Sequence, residues 1–185
     1  MPGSMPEGKQ FIKDFILSHG PIKRILDVGP GSGNYHDLLT KYGEYSDYPG
    51  GTLNDVEWVG VEIWEPYLNH FSLGSKYDKI IVLDIFDFDW PDRYDIAILG
   101  DVLEHMPAIR GAAVVKQAVE HANWVIISLP IVDCPQEASY GNPYEAHIEQ
   151  YNPSNLDSIL KEFTVIDSYL GETIGVFILK GVSYS

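Results

Sequence analysis

A chain of 185 residues with 27 Asp+Glu against 12 Lys+Arg carries a net charge of −15, too few cations for the basic face that a nucleic acid or an anionic membrane demands. Hydrophobic residues at 45% and charged ones at 21% describe a folded chain, of a size for one domain over 1–185 with a helix inside 1–20 and no separate substrate domain. One cysteine, Cys134, excludes a disulfide framework; with no signal-like leader in "MPGSMPEGKQ" and no apolar run of about 18 residues, the expectation is a cytoplasmic protein that meets a small molecule and no membrane.

In chain order, "EGKQFIKDFILS" (7–18) sets Phe11, Ile12, Phe15 and Ile16 on one helical face, and Gly20-Pro21 ends that helix. "KRILDVG" is a short apolar strand, and "GNYHDLLTKYG" reads as a helix that closes at Gly43. Further strands are expected at "EWVGVEI", "KIIVLDI", "YDIAILGDV" and "NWVIISLP", with helices near 65–73 and 108–122. Near-continuous apolar strands alternating with helices predict a parallel sheet covered on both faces. After a polar loop at 131–151, Asn152 and Pro153 suit the start of a helix in "NPSNLDSILKEF". "TVIDSYL" and "TIGVFILKG", joined only by Gly171 and Glu172, must form an antiparallel hairpin. The fold class expected is a doubly wound α/β domain whose mostly parallel, seven-stranded sheet ends in that hairpin. Two irregular segments, 43–56 and 131–151, stand outside this pattern, the first carrying Tyr45 and Tyr48 just after Tyr42.

The chemistry gathers at the strand ends. "ILDVGPGSGNY" places Gly29, Gly31 and Gly33 directly after the first strand, where glycine lets the backbone approach a ligand. Asn34 stands where the dinucleotide fingerprint needs its last glycine, so a pyrophosphate cradle is not indicated. Glu62 ends the second strand, where an acid can accept from both hydroxyls of a ribose. Asp84 ends the third, suited to an exocyclic adenine amine, and Asp101 ends the fourth. Each acid alone could be a helix cap or a solvated loop residue. Four consecutive strand ends of this kind point to one ligand.

These motifs resemble the class I S-adenosylmethionine-dependent methyltransferases, a superfamily of Rossmann-like fold. "LDVGPGSG" resembles its first motif, "VGVEI" its second-strand acid, "LDIFDF" its adenine-side segment and "GDVLEHMP" its fourth-strand segment, over about residues 22–181. The resemblance implies S-adenosyl-L-methionine as cofactor and S-adenosyl-L-homocysteine as product. It would place Asp27, Gly29, Gly31 and Gly33 at the methionine part, Glu62 and Ile63 at the ribose, Asp84 and Ile85 at the adenine, and Asp101 with Val102 beside them. Pro30, where many members carry a small residue or cysteine, and the long segment 43–56 depart from the family pattern.

Methyl transfer needs alignment and, for some acceptors, a base. His105 in "LEHMP" and His147 in "YEAHIEQY" are the candidate catalytic residues, both expected beyond strand ends on the ligand edge. Asp101-x-x-Glu104-His105, with His147, also resembles an arrangement that holds a divalent cation in some O-methyltransferases, although Asp replaces Glu at its first position. The preferred reading has no metal, with Mg²⁺ or Mn²⁺ at Asp101, Glu104, His105 and His147 as its rival. The expected function is therefore methylation of a small molecule at oxygen or nitrogen. The alternatives are a cofactor-binding scaffold without turnover and an aminopropyl transferase, for which the opening residues lack the extra sheet.

Overall fold

The computed structural model describes residues 5–40, 53, 55–139 and 141–182. Tyr42, Tyr45, Tyr48 and nearly all of the segment 43–56 lie outside the described residues. The strands are β1 (Arg24–Val28), β2 (Glu57–Glu62), β3 (Lys79–Val82), β4 (Tyr94–Gly100), β5 (Ala122–Pro130), β6 (Val165–Leu170) and β7 (Ile174–Lys180). They form one sheet in the order β3-β2-β1-β4-β5-β7-β6. The first five run parallel, and β7 inserts antiparallel between β5 and β6. This is the doubly wound sheet with a terminal hairpin that the sequence predicts.

Both faces of the central strands are buried because β4, β5 and β7 are apolar at nearly every position, not at alternate ones, while β6 at the edge stays largely exposed. On one face, Leu26, Val61, Leu99, Ile127 and Leu179 pack under Val114, Val115 and Ala118 of α4 (Ala108–His121). On the other, Ile25, Trp58, Ile98, Ile126 and Ile178 pack under α1 (Lys9–Ser18) and α2 (Asn34–Thr40). Ile96 and Ile98 of β4 face one layer while Ala97 and Leu99 face the other. In α1, Ile12, Phe15 and Ile16 are buried as expected, and Phe11 lies half-buried against Tyr169, ring centroids 6.0 Å apart. Short helices α3 (Pro66–His70) and α5 (Asp157–Leu160) complete the layers.

One expectation is corrected. The helix anticipated from Asn152 begins only at Asp157, and 153–156 are turns. Asn155 is the reason: its side chain accepts from Asn152 N–H at 2.8 Å and donates to the Gln150 carbonyl at 2.8 Å. Such local bonds offer the backbone an alternative to helix.

The chain winds outward from β1 to β3, then returns to lay β4 on the other side of β1. The carboxyl ends of β1, β2 and β4 therefore open onto one crevice at the point where strand order reverses.

Candidate functional site

The crevice holds a cavity of about 370 Å³. Gly29, Glu62, Ile63, Asp84, Ile85, Asp101, Val102, Glu104, His105 and His147 all line it. Asp27, Gly31 and Gly33 do not: Asp27 is buried beneath the first turn, and Gly31 and Gly33 belong to the turn without reaching the cavity.

That turn is built for close packing. Gly29 has φ +64°, and a Cβ there would lie 2.7 Å from Val102 Cγ2. Gly31, at φ +55°, would bring a Cβ only to ordinary contact with Gly29 O at 3.9 Å, and it donates its N–H to Glu62 Oε2 at 3.1 Å. Trp64 N–H donates to Glu62 Oε1 at 2.8 Å, so both carboxylate oxygens are held from the backbone and each keeps a lone pair toward the cavity. Burial raises the Glu62 carboxyl above its ordinary range, against these two donors.

Asp27 is buried behind the turn. Tyr77 O–H donates to its Oδ2 at 2.6 Å, while Oδ1 has no partner among the described residues. Burial pushes this carboxyl up to about 7, against the Tyr77 hydrogen bond and the charge of Lys9. Asp84 Oδ1 accepts from Phe86 N–H at 3.0 Å, starting the tight turn Ile85–Asp87 that brings Ile85 to the cavity wall. Arg110 lies over the Phe86 ring, 3.7 Å from its centroid, and 3.9 Å from Asp84.

Asp101 ends β4 with φ +55°, a left-handed backbone fixed by its N–H donating to Ser128 O at 2.7 Å. Lys9 of α1 reaches it at 3.3 Å and donates to Tyr35 O–H at 2.5 Å. Burial pulls the Lys9 ammonium down, but Tyr35 and Asp101 outweigh it and the group stays charged.

Beyond β4, the turn Leu103–His105 meets the loop 131–151. The Glu104 carbonyl accepts from Ile148 N–H at 2.8 Å and Glu149 N–H at 3.0 Å, clipping the two together. His105 and His147 consequently stand with ring centroids 4.9 Å apart, edge to face. His105 Nδ1 donates to the Ala146 carbonyl at 3.1 Å and His147 Nδ1 donates to the Cys134 carbonyl. Since a carbonyl can only accept, both Nδ1 atoms carry hydrogen and Nε2 is the lone-pair nitrogen of each neutral ring. Burial lowers His105 below its usual range, with the carbonyl bond opposing it. Glu104 is buried with Oε2 unpartnered among the described residues, and burial, reinforced by Asp101, raises its carboxyl well above normal. Glu104, His105 and His147 offer one ligand atom each within 4.8 Å; Asp101 stands outside that cluster, beside Lys9.

Several residues here escape sequence reading. Tyr67 O–H donates to Glu145 at 2.9 Å, joining α3 to the loop across 78 residues with no local signal. Tyr77 beneath Asp27 is equally silent. Lys9 did carry one: it falls on the apolar stripe of α1, three residues before Ile12, where a cation has no reason to be unless it has a buried partner.

A family profile described as "Methyltransferase domain" matches residues 7–164. Among solved structures, magnesium protoporphyrin IX methyltransferase from Synechocystis PCC 6803 with bound SAH is similar with a TM-score of 0.66 at 15% identity, over 95% of this chain and 83% of that one. The N-terminal domain of EvdMO1 with SAH bound gives 0.62 at 13% identity, over 98% and 83%. An O-methyltransferase from neocarzinostatin biosynthesis, in complex with SAH and 1,4-dihydroxy-2-naphthoic acid, gives 0.59 at 14% identity, over 94% and 57%. A search of curated proteins by sequence gives no match. Among the described residues, no helix is long and apolar enough to cross a membrane.

Proposed function

The chain belongs to the class I S-adenosylmethionine-dependent methyltransferases, its family match running over residues 7–164, and from that premise we propose that it methylates a small-molecule acceptor at oxygen or nitrogen. S-adenosyl-L-methionine is the cofactor and S-adenosyl-L-homocysteine the product in this reading. The observation that carries it is the convergence of Gly29, Glu62, Asp84 and Asp101, from four successive strand ends, on the same cavity as His105 and His147. The residues suit the cofactor. Glu62, fixed by Gly31 and Trp64, would take the ribose hydroxyls; Asp84 and Ile85 would take the adenine; Asp101 and Val102 would border the methionine arm, with Gly31 and Gly33 shaping the turn and Asp27 beneath it. The bound sulfonium supplies an already activated methyl carbon, so the chain's own work is alignment, exclusion of water and removal of the acceptor's proton.

For that last task His105 and His147 are the catalytic pair. Their Nδ1–H bonds to carbonyls orient the rings and leave Nε2 to accept a proton. A second reading is favoured by a specific observation, the clustering of Glu104, His105 and His147 around an unpartnered buried carboxylate oxygen. There Mg²⁺ or Mn²⁺ would be held by those three side chains and polarise the acceptor oxygen. The whole chain acts as one catalytic domain, with acceptor recognition falling to 131–151 and the start of α1.

Calorimetric titration with S-adenosyl-L-homocysteine tests the cofactor reading; a folded protein that takes up none overturns it. Turnover, read as S-adenosyl-L-homocysteine formed over an acceptor panel, then separates the rest. With a histidine base, alanine at His105 or His147 lowers turnover about 10²–10⁴-fold and chelator has no effect. With a cation, chelator abolishes turnover, Mg²⁺ or Mn²⁺ restores it, and Glu104→Ala mimics chelation. Cofactor binding with no turnover on any acceptor would mark a scaffold instead.

A further inference from the structure

The cavity's mouth carries information that its floor does not. Large hydrophobic side chains are normally buried, yet Ile148, Tyr144 and Met5 line the cavity while 63%, 48% and 44% exposed. Ile109, 83% exposed, stands next to this mouth in the chain: it follows Ala108, whose N–H donates to Glu149 at 3.1 Å, and precedes Arg110 of the cavity wall. Met106 and Pro107 continue the wall between them.

Charge at the cavity points the same way. Arg110 is the single Lys or Arg among the described lining residues, and it is engaged by the Phe86 ring and Asp84. Asp84, Asp101 and Glu145 also line the cavity, so a carboxylate or phosphate on the acceptor would meet repulsion from these acids, with Arg110 already engaged. Glu62 is held by backbone donors, Asp101 by Lys9 and Glu145 by Tyr67, so these acids are already engaged within the protein.

Resting on the methyl-transfer reading above, we propose that the acceptor is an uncharged, largely apolar compound. Its reacting hydroxyl or amine goes down to His105 and His147, and its apolar body lies along Tyr144, Ile148 and Ile109. Covering these side chains removes from water an apolar surface that the protein alone leaves exposed, which is the driving force for binding. The rim, and not the histidines, then selects among acceptors.

The test uses two dyes of one anilinonaphthalene body, the neutral N-phenyl-1-naphthylamine and the anionic 1-anilinonaphthalene-8-sulfonate, titrated by fluorescence into protein saturated with S-adenosyl-L-homocysteine. The neutral dye should bind at least tenfold more tightly than the sulfonate. Ile148→Asp and Ile109→Asp should each weaken it about tenfold or more, Ile148→Leu should not, and affinity for S-adenosyl-L-homocysteine should stay unchanged in all three. Both positions are exposed, so the variants fold. Equal binding of the two dyes, or indifference of the neutral dye to both aspartates, overturns the proposal while the cofactor reading stands. Failure of S-adenosyl-L-homocysteine itself to bind removes the methyl-transfer reading and this proposal with it.

Discussion

Asp27 shows what burial does to a single carboxyl. Its folded pKa of about 7 lies above the ordinary value of about 3.9, so between those limits the native state binds the proton more tightly than the unfolded chain. Stability from this residue is present at low pH and falls as pH rises through neutrality. Relative to Asp27→Asn, which keeps the acceptor for Tyr77, wild type should lose about 2–3 kcal/mol between pH 5 and 7.5 in urea denaturation. A constant gap between the two proteins would contradict the shift. At Glu62 the question is affinity: Glu62→Ala should weaken S-adenosyl-L-homocysteine binding by about 1–3 kcal/mol in calorimetry, with circular dichroism unchanged. The first two glycines of the turn should differ. Gly31→Ala adds a Cβ at an ordinary 3.9 Å from Gly29 O and meets only the strain of the left-handed backbone, about 1–2 kcal/mol. Gly29→Ala meets that strain and Val102 at 2.7 Å as well, so it should cost more in thermal denaturation and also disturb the cavity wall.

Helix α1 is tied to the site at two points, and each tie can be cut. Glu7, just before it, accepts from the N–H groups of Glu172, Thr173 and Ile174 in the β6–β7 turn. Those donors, Ile174 foremost, hold its carboxyl below the usual range, so the tie is intact above the ordinary carboxylate pKa and fails as pH falls through the lowered value. Glu7→Gln should therefore reduce amide-exchange protection at 172–174 at neutral pH. Lys9, 7% exposed, is the second tie. Lys9→Met strips Asp101 and Tyr35 of their cation and should cost about 3 kcal/mol, and adding Asp101→Asn should recover part of it in a double-mutant cycle. Most strands were legible because largely apolar runs between glycines and acids have few other solutions, and β6, with Asp167 and Ser168, was legible from its short link to β7. The helix at 152–163 was not, because the Asn155 side chain competes for backbone bonds, a choice that composition does not reveal. At the site, every acid at a strand end was legible from its place after an apolar run. Tyr67, Tyr77 and Glu145 were not, since their partners lie 50–78 residues away and only the folded sheet makes them neighbours.

For the whole molecule, a ligand that binds only the folded chain stabilises all of it. S-adenosyl-L-homocysteine at a hundredfold excess over its dissociation constant should add about 2.7 kcal/mol. In a chain of this size that corresponds to a rise in melting temperature of roughly 5–10 °C. No rise under those conditions would place the ligand elsewhere than on the native fold.

The carbonyl that holds His105 belongs to Ala146, one residue before His147, and the rim residues Tyr144 and Ile148 flank the same three-residue stretch. If His105 and His147 act as proposed, aim of the reacting group and choice of acceptor are encoded in one short peptide. Transplanting 131–151 from a relative would then exchange both at once. Diversification within such a lineage is expected to proceed by replacing this segment whole, with the sheet beneath inherited unchanged.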